Sequence, residues 1–281
     1  MLSLSQVDVP QIAFSSPLVL YAMLGLSALN LSSLIPDDRT LPLAADSYLS
    51  KALEQHQEAI SHLDPTNAEP VLIAAVLIAH HTFLAMHINE PYKIEFQNYH
   101  MRLGVKVVAQ RVAPWLKQYQ WPSDEPKDYR GMAIKHINFL RSALYDAEQL
   151  LKSLGDDVRE EDRRTYEKAS MDFIQNCHMI ASGVVEDFVI EQELMSTLHR
   201  FHPRAEHFME NHDPVALAIL ARQLSLLTLV GDQSAWWIHG AGEFKVPLRG
   251  VQGISFLMPS DWRWTMDWPW NIVSQGREIL S

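Results

Sequence analysis

Apolar residues recur at helical spacing along nearly all of this 281-residue chain, and no segment alternates apolar and polar residues as a half-buried strand does. Proline, glycine, asparagine and aspartate divide the pattern into segments, and some of them stand where helices begin or end. The pattern predicts an all-α bundle of about nine or more helices. The predicted segments are residues 17–29, 44–63, 67–88, 92–119 with a bend at Pro114, 126–154, 157–199 with a break near Gly183, and 215–230, followed by shorter helices and turns.

Composition predicts one domain over residues 1–281, because no Gly/Ser-rich or Pro-rich linker interrupts the pattern. The formal net charge of −11 argues against DNA or RNA as a direct partner, since such binding neutralises phosphates with Lys and Arg. The single cysteine, Cys177, excludes a disulfide within the chain and a zinc cluster built on cysteines. Its apolar neighbours predict a buried thiol that acts as a small hydrophobic side chain.

The chain is predicted to be soluble. Met1–Ser5 lacks the basic start of a signal peptide. The longest uncharged apolar runs, residues 17–29 and 71–79, are shorter than the roughly 20 residues that cross a bilayer. We therefore expect no membrane span and a cytoplasmic location, with a nuclear location as the alternative for a regulator.

Six of the eight tryptophans lie between Trp236 and Trp270. Tryptophan buries a large apolar area and keeps one N–H donor, so such a density indicates either the closing of a core or the wall of a pocket for a flat, apolar ligand. Trp236 and Trp237 are neighbours and point about 100° apart on a helix, so both cannot face one core centre. The sequence leaves both interpretations open.

No motif predicts a metal or a cofactor. His80 and His87 share a helix face but stand two turns apart, too far to hold one metal without further ligands. The histidines within 199–212 could bind a metal but lie in a segment typical of a solvated connection. Residues 156–160 fit a loose D-D-x-x-E diphosphate pattern, yet arginines interleave with the acids and no second magnesium motif follows. Nucleophile elbows and glycine-rich phosphate loops are missing as well.

The two ends of the chain carry motifs that occur together in one family. Val9–Phe14 (V-P-Q-I-A-F) precedes Pro17–Leu31 (P-L-V-L-Y-A-M-L-G-L-S-A-L-N-L), and the later part contains Asp213–Ala221, Trp236–Gly240 and Trp268-Pro269. In this order they resemble the C-terminal regulatory domain of fungal zinc-cluster transcription factors, most closely the sterol-sensing kind. The resemblance runs from Val9 to Trp270.

The resemblance implies an all-helical domain that tends to dimerise, so a homodimer is an expected partner. It also implies an apolar pocket for a sterol-like lipid, whose binding retains the protein in the cytosol and whose release sends it to DNA. The chain departs from the family in three ways. The six-cysteine DNA-binding module is missing, the helix that usually precedes the first motif is missing, and Asn30 replaces the usual histidine.

Two functions are compatible with an apolar, aromatic-lined pocket that binds a hydrophobic small molecule, such as a terpenoid or polyketide. The favoured hypothesis is a cofactor-free, non-redox cyclase of fungal natural-product biosynthesis, of the cycloaddition type, which accelerates ring closure by orienting the reacting ends. The alternative is the sensor domain of a transcription factor without its DNA-binding part. The candidate polar anchors are His239, His80 and Tyr21, and the candidate ligand contacts are Trp236, Trp237, Phe244, Trp262, Trp264, Phe83 and His87.

Overall fold

The computed structural model describes residues 8–88, 96–116, 128–199, 201–231, 238 and 245–281. These residues form twelve α-helices and no strand, which confirms the predicted all-α fold. Short 3₁₀ helices at Leu227–Leu229, Ser260–Met266 and Gly276–Leu280 complete the regular structure. The α-helices are α1 (Asp8–Ser15), α2 (Pro17–Leu34), α3 (Thr40–Ser61), α4 (Ala68–Ile88), α5 (Phe96–Val112), α6 (Ile137–Lys152), α7 (Glu160–Ser182), α8 (Asp187–His199), α9 (Pro203–Glu210), α10 (Pro214–Leu226), α11 (Val246–Leu257) and α12 (Asp267–Gln275).

Local chemistry explains several helix boundaries. Pro17 and Pro214 occupy first helical positions, where the missing N–H has no intrahelical partner to lose. The Asp213 carboxylate caps α10 by accepting a hydrogen bond of 2.9 Å from the Ala216 N–H. Gly183 ends α7 with φ +64°, a left-handed conformation that suits glycine. The predicted break near Gly183 is therefore confirmed.

Other boundaries differ from the prediction. α1 and α9 were not predicted, because each has only eight residues and too few turns for a clear period. α6 begins at Ile137 rather than 126, since residues 129–132 form a turn closed by a 3.1 Å bond from the Met132 N–H to the Tyr129 carbonyl. α5 ends at Val112 instead of bending at Pro114, because a proline disfavours helical backbone at the residue before it.

The chain groups into two compact units, of which the first contains α1–α5. Its core is formed by apolar faces of α2 and α4, with smaller contributions from α1, α3 and α5. Small residues on facing helices, such as Ala22 on α2 and Ala52 on α3, allow close approach. The largest buried side chains of this unit are Leu72, Ile73, Ile78, Phe83 and Leu84.

The second unit contains α6–α12 and is built around α10. Every residue from Val215 to Leu226 is buried, so α10 is covered on all sides. α7, α8, α9, α11 and α12 all contact it. The prediction of a single domain over the whole chain stays a prediction.

α2 and α4 are each long and apolar enough, by length and composition, to cross a membrane. Both helices extend beyond the uninterrupted apolar runs at residues 17–29 and 71–79, so the lengths of those runs underestimated the lengths of the apolar helices. Within their apolar windows, 33% of α2 and 61% of α4 is buried in the fold. Buried core helices of soluble proteins satisfy the same criterion, so these two helices are weak support for a membrane span.

Candidate functional site

α4 places one histidine, His81, entirely inside the first unit. Only 1% of its surface is exposed, and it lies on the face that also carries Ile78, one turn earlier. Neither Nδ1 nor Nε2 has a hydrogen-bond partner in the described part of the structure. The sequence analysis favoured His80 and His87. Apolar residues precede both neighbouring positions at helical spacing, residues 74 and 78 for His81 and residues 73 and 77 for His80, so the sequence did not select His81.

Gly25 of α2 brings three helices together beside His81. A Cβ atom placed on Gly25 would lie 3.4 Å from the Leu49 backbone nitrogen and 3.5 Å from the Ala45 carbonyl oxygen, both on α3. The same atom would lie 3.5 Å from Cδ2 of His81. We call this meeting point of Gly25, Ala45, Leu49 and His81 the helix junction. Because protein interiors are close-packed, any side chain larger than alanine at Gly25 would press on the imidazole or on α3.

The imidazole at the helix junction is neutral near physiological pH. Burial lowers the pKa of His81 below its ordinary value, and the Asp46 carboxylate of α3 offsets part of that effect. A neutral imidazole has one N–H donor and one acceptor nitrogen. Leaving a buried polar group without a partner costs about 1–3 kcal/mol, so the helix junction holds unused hydrogen-bonding capacity in apolar surroundings.

His56 of α3 shows the more usual state of a partly buried histidine. Burial lowers its pKa as well, but its Nε2 lies 3.2 Å from the Val71 carbonyl oxygen of α4. That hydrogen bond joins α3 to α4 and gives the ring a structural role. His81 has no such bond, so the helix junction differs from an ordinary helix contact.

Tyr21, a predicted polar anchor, lies one turn before Gly25 on the same face of α2. Its ring stacks on Tyr48 of α3, with 6.3 Å between centroids and 21° between ring planes. The Lys51 ammonium nitrogen lies 5.3 Å from the Tyr21 centroid. Both tyrosines are partly buried. The packing between α2 and α3 therefore continues from the helix junction to an aromatic pair with a charged neighbour.

Three other predicted residues of the first unit, His80, Phe83 and His87, lie on α4. His80 is partly buried, and Phe83 is a fully buried core residue. The side chain of His87 and the whole of Phe244 lie outside the described residues. A ligand-binding role for these four residues stays a prediction.

In the second unit, Trp262 and Trp264 form a stacked pair, with 6.4 Å between ring centroids and 22° between planes. Trp264 is 43% exposed, so this pair borders solvent. Trp236, Trp237 and His239 lie outside the described residues. The apolar, aromatic-lined pocket predicted from the sequence stays a prediction.

Polar groups inside the second unit form a small network. The Asn176 side-chain amide donates to the Thr197 hydroxyl and to the Gln223 carbonyl oxygen, each at 3.1 Å. The three residues come from α7, α8 and α10 and are all buried. This network joins helices and presents no reactive group. Next to Asn176, Cys177 is fully buried as predicted, and burial raises the pKa of its thiol, so it is no candidate nucleophile.

The described residues contain no group of three or more His, Cys, Asp or Glu that could hold a metal. His202 caps α9 by accepting from the Arg204 N–H at 3.2 Å, which gives one of the predicted histidines a local structural role. Near the D-D-x-x-E segment, Asp162 accepts hydrogen bonds from Arg159 and Arg204. Glu160 of that segment pairs with Arg164 at 3.0 Å, as the interleaved arginines suggested.

Comparison with known proteins relates the first unit to one family. Residues 8–114 match the model described as the fungal specific transcription factor domain. This range contains all five helices of the first unit and the helix junction. The match supports a fungal transcription factor domain of the regulatory type, which was the second of the two interpretations drawn from the sequence.

Two curated relatives extend this similarity. The Zn(2)-C6 fungal-type transcription factor afumD of Aspergillus fumigatus is 30% identical over 97 residues, which are 34% of this chain and 26% of that protein. A Zn(2)-C6 fungal-type transcription factor of Gibberella zeae is 25% identical over 296 residues, covering 98% of this chain and 57% of its own length. The chain thus spans about a quarter of the Aspergillus fumigatus protein and somewhat more than half of the Gibberella zeae protein. No solved structure matches the chain. The cyclase interpretation gains no support from these comparisons and stays a prediction.

Proposed function

We propose that this chain is the regulatory domain of a transcription-factor-like protein of the fungal zinc-cluster kind, and that an apolar small molecule controls its activity. The regulatory role is carried by the alignment with the Gibberella zeae transcription factor, which extends along 98% of this chain. The domain match over residues 8–114 supports the same role.

The charge of the chain indicates how it takes part in transcription. With a formal net charge of −11, this domain does not itself neutralise DNA phosphates. It acts instead on a DNA-binding module in the same protein or on a partner that carries one. A nuclear location when active, and a homodimer as the working form, belong to this proposal.

The ligand of the proposed domain is apolar and sterol-like, as the resemblance to sterol-sensing regulators implies. Support within this chain comes from the first unit, where an apolar core holds the unpartnered imidazole of His81. An apolar site with one or two convergent polar groups is typical of small-molecule binding sites. In the proposed cycle, ligand binding keeps the protein in the cytosol and ligand loss releases it to the nucleus.

A transcription assay tests the regulatory role. The full chain is fused to a bacterial repressor DNA-binding domain and expressed in yeast with the matching operator before a reporter gene. We expect reporter output that changes when sterol synthesis is blocked, together with movement of a fluorescently tagged chain between cytosol and nucleus. The control is the same DNA-binding domain fused to an unrelated acidic helical protein. Reporter output equal to this control in both sterol states would contradict the proposal.

A further inference from the structure

We infer that an exposed surface of the second unit binds an arginine side chain of a basic protein segment, with the guanidinium over the Trp264 ring and a carboxylate on either side. Aromatic faces attract cations, and carboxylates accept hydrogen bonds from the planar guanidinium. The inference rests on the proposed function only for the source of the segment, a DNA-binding module. The position and chemistry of the surface come from the 3₁₀ helix Ser260–Met266 and the first residue of α12.

The 3₁₀ conformation aligns three solvent-facing residues. With three residues per turn, side chains three positions apart eclipse one another and lie about 6 Å apart along the axis. Asp261, Trp264 and Asp267 therefore stand in one column, and all three are exposed. Backbone bonds fit this spacing, since the Asp267 N–H donates to the Trp264 carbonyl and the Trp262 N–H donates to the Pro259 carbonyl at 3.0 Å. We call Asp261, Trp264 and Asp267 the exposed column.

An α-helix over the same residues would not make this arrangement. Its 3.6 residues per turn would rotate residues three positions apart by about 60°, so the two aspartates would point about 120° apart. Runs of 3₁₀ helix beyond three or four residues are uncommon, whereas this helix has seven residues. The unusual conformation is thus what places Trp264 between two carboxylates.

Neighbouring contacts hold the Trp264 ring without covering it. Trp262 stacks on this ring and belongs to the next column, which continues with the buried side chains of Thr265 and Trp268. The Thr265 hydroxyl also donates to the Trp262 carbonyl at 2.7 Å. Because the stack orients an exposed ring in advance, little side-chain freedom is lost when a partner binds to it.

Charge favours a cation as the occupant of the exposed column. Among the residues that the structure describes, neither Asp261 nor Asp267 forms an ion pair, so both charges are left for a partner. Arg263 belongs to a different column, with Ser260 and Met266. The net charge of −11 attracts basic segments to the chain as a whole, and the exposed column gives such a segment a defined place to bind.

Arginine suits the exposed column better than lysine does. A guanidinium is flat, stacks on aromatic faces and donates hydrogen bonds from its edges, whereas an ammonium group is a compact and strongly hydrated point charge. An aromatic ring between two acceptors therefore matches a planar cation with donors on opposite edges. An arginine held in this way is not free to contact a DNA phosphate, so binding here would lower the DNA affinity of the module that carries it.

Fluorescence anisotropy of a dye-labelled arginine–glycine repeat peptide, titrated with the full chain, measures binding without tryptophan emission. We expect saturable binding that weakens as salt rises, and weaker binding of a lysine–glycine peptide of equal length. Trp264→Ala should weaken binding of the arginine peptide about threefold, the effect of one exposed cation–π contact, and Trp264→Phe should retain part of the affinity. Trp115→Ala removes a similarly exposed ring from the first unit and should leave binding unchanged.

Charge variants separate the exposed column from general attraction between acidic and basic chains. Asp261→Asn with Asp267→Asn should weaken binding about fivefold. Asp156→Asn with Asp157→Asn makes the same change in net charge at exposed positions elsewhere and should have little effect. Ser260→Asp with Asp261→Ser keeps the net charge but moves one carboxylate out of the exposed column, so this exchange should also weaken binding.

Three results would overturn the inference: no saturable binding of the arginine peptide, equal binding of the arginine and lysine peptides, or equal effects of the two aspartate double variants at one salt concentration. Circular dichroism melting curves check that each variant is folded. Reporter output is measured separately. A reporter equal to its control, together with peptide binding at the exposed column, rejects the regulatory role alone. A responding reporter without peptide binding rejects this surface alone.

Discussion

Arg222 and Asp146 form a two-point ion pair in the interior of the second unit. The Arg222 Nε lies 2.6 Å from one Asp146 carboxylate oxygen, and Nη2 lies 3.0 Å from the other. The third guanidinium nitrogen donates to the Ala218 carbonyl at 2.8 Å. Arg222 is only 1% exposed, yet all its nitrogens are bonded. This pair explains how an arginine can lie in the middle of the fully buried α10.

Removing one member of this pair should strongly destabilise the fold. Arg222→Met leaves the largely buried Asp146 carboxylate, 15% exposed, without its partner, and burial already raises the pKa of that carboxyl group. We expect the free energy of unfolding to fall by about 3–5 kcal/mol. Urea denaturation followed by circular dichroism measures the loss.

The double variant Asp146→Leu with Arg222→Met is the internal control. Replacing a whole buried pair by apolar side chains is often nearly neutral, so we expect most of the lost stability to return. Arg130→Ala serves as the matched surface control, because its pair with Asp128 is exposed and should matter little. A double variant as unstable as the single one would show that the pair stabilises this fold directly.

Trp268 and Trp264 should respond very differently to truncation, although they stand four residues apart. Trp268 is buried, packs edge-on against Phe173 at 5.3 Å, and donates its N–H to the Ser142 hydroxyl at 3.0 Å. Trp268→Ala should cost about 3–5 kcal/mol of unfolding free energy. Trp264→Ala should cost less, about 0.5–1.5 kcal/mol, because that ring is 43% exposed and loses chiefly its stack on Trp262.

Denaturation curves of the two variants measure this contrast, and near-ultraviolet circular dichroism shows whether the remaining tryptophans keep their environments. Equal losses in the two variants would mean that Trp264 also supports the core. Of the two alternatives drawn for the tryptophan cluster, the closing of a core is seen at Trp268, and a role in lining a ligand pocket stays a prediction. Trp268 closes a core, whereas the stacked rings of Trp262 and Trp264 stand at a solvent border.

The sequence predicted several helix ends that local chemistry decides, although it missed α9, which begins with a His202 cap and Pro203. Pro214 after Asp213, and Gly183 at a left-handed position, act through their own backbone and side chains, so their effect can be read without the fold. Features that depend on tertiary contacts could not be predicted in this way. Arg222 looks like a surface residue in sequence, and only the placement of Asp146, 76 positions away, makes its burial possible.

The same distinction explains the outcome at the candidate site. Tyr21, predicted as a polar anchor, lies one turn from Gly25 on α2, and its role in binding a ligand stays a prediction. His81 was passed over because two histidines in a row, at 80 and 81, give no hint of which one faces inward until the apolar face of α4 is fixed by α2 and α3. The lack of hydrogen-bond partners for its ring nitrogens depends on how α2, α3 and α4 pack together, so the sequence of α4 alone does not reveal it.

Gly183 should tolerate no side chain, in contrast to Gly104. Besides its positive φ, a Cβ on Gly183 would lie 2.7 Å from Cδ of Lys135 and 2.9 Å from Nε2 of His136. We expect Gly183→Ala to lower the free energy of unfolding by about 1–2 kcal/mol. Gly104 lies within α5 with no atom near its absent Cβ, so Gly104→Ala should raise stability by about 0.5–1 kcal/mol. Calorimetry of both variants measures these changes in stability. A Gly183→Ala variant as stable as the wild type would contradict the backbone strain assigned to Gly183.

Acid should destabilise the protein through its buried histidines, and His81 should account for part of the effect. Burial lowers the pKa of His81 in the folded chain below its ordinary value of 6.5, and the Asp46 carboxylate opposes part of this shift. At a pH between the folded and the ordinary pKa, His81 therefore binds a proton in the unfolded chain but not in the folded chain. Unfolding free energy therefore rises with pH across this window and is lost as pH falls through it. His56 and His178, whose pKa values burial also lowers, act in the same direction. We expect urea titrations at about pH 5 and about pH 7 to show higher stability at the upper pH, with a smaller difference in His81→Phe. If the difference in His81→Phe equalled that of the wild type, His81 would have to be protonated equally in the folded and unfolded chains, and a neutral buried imidazole at His81 would be refuted.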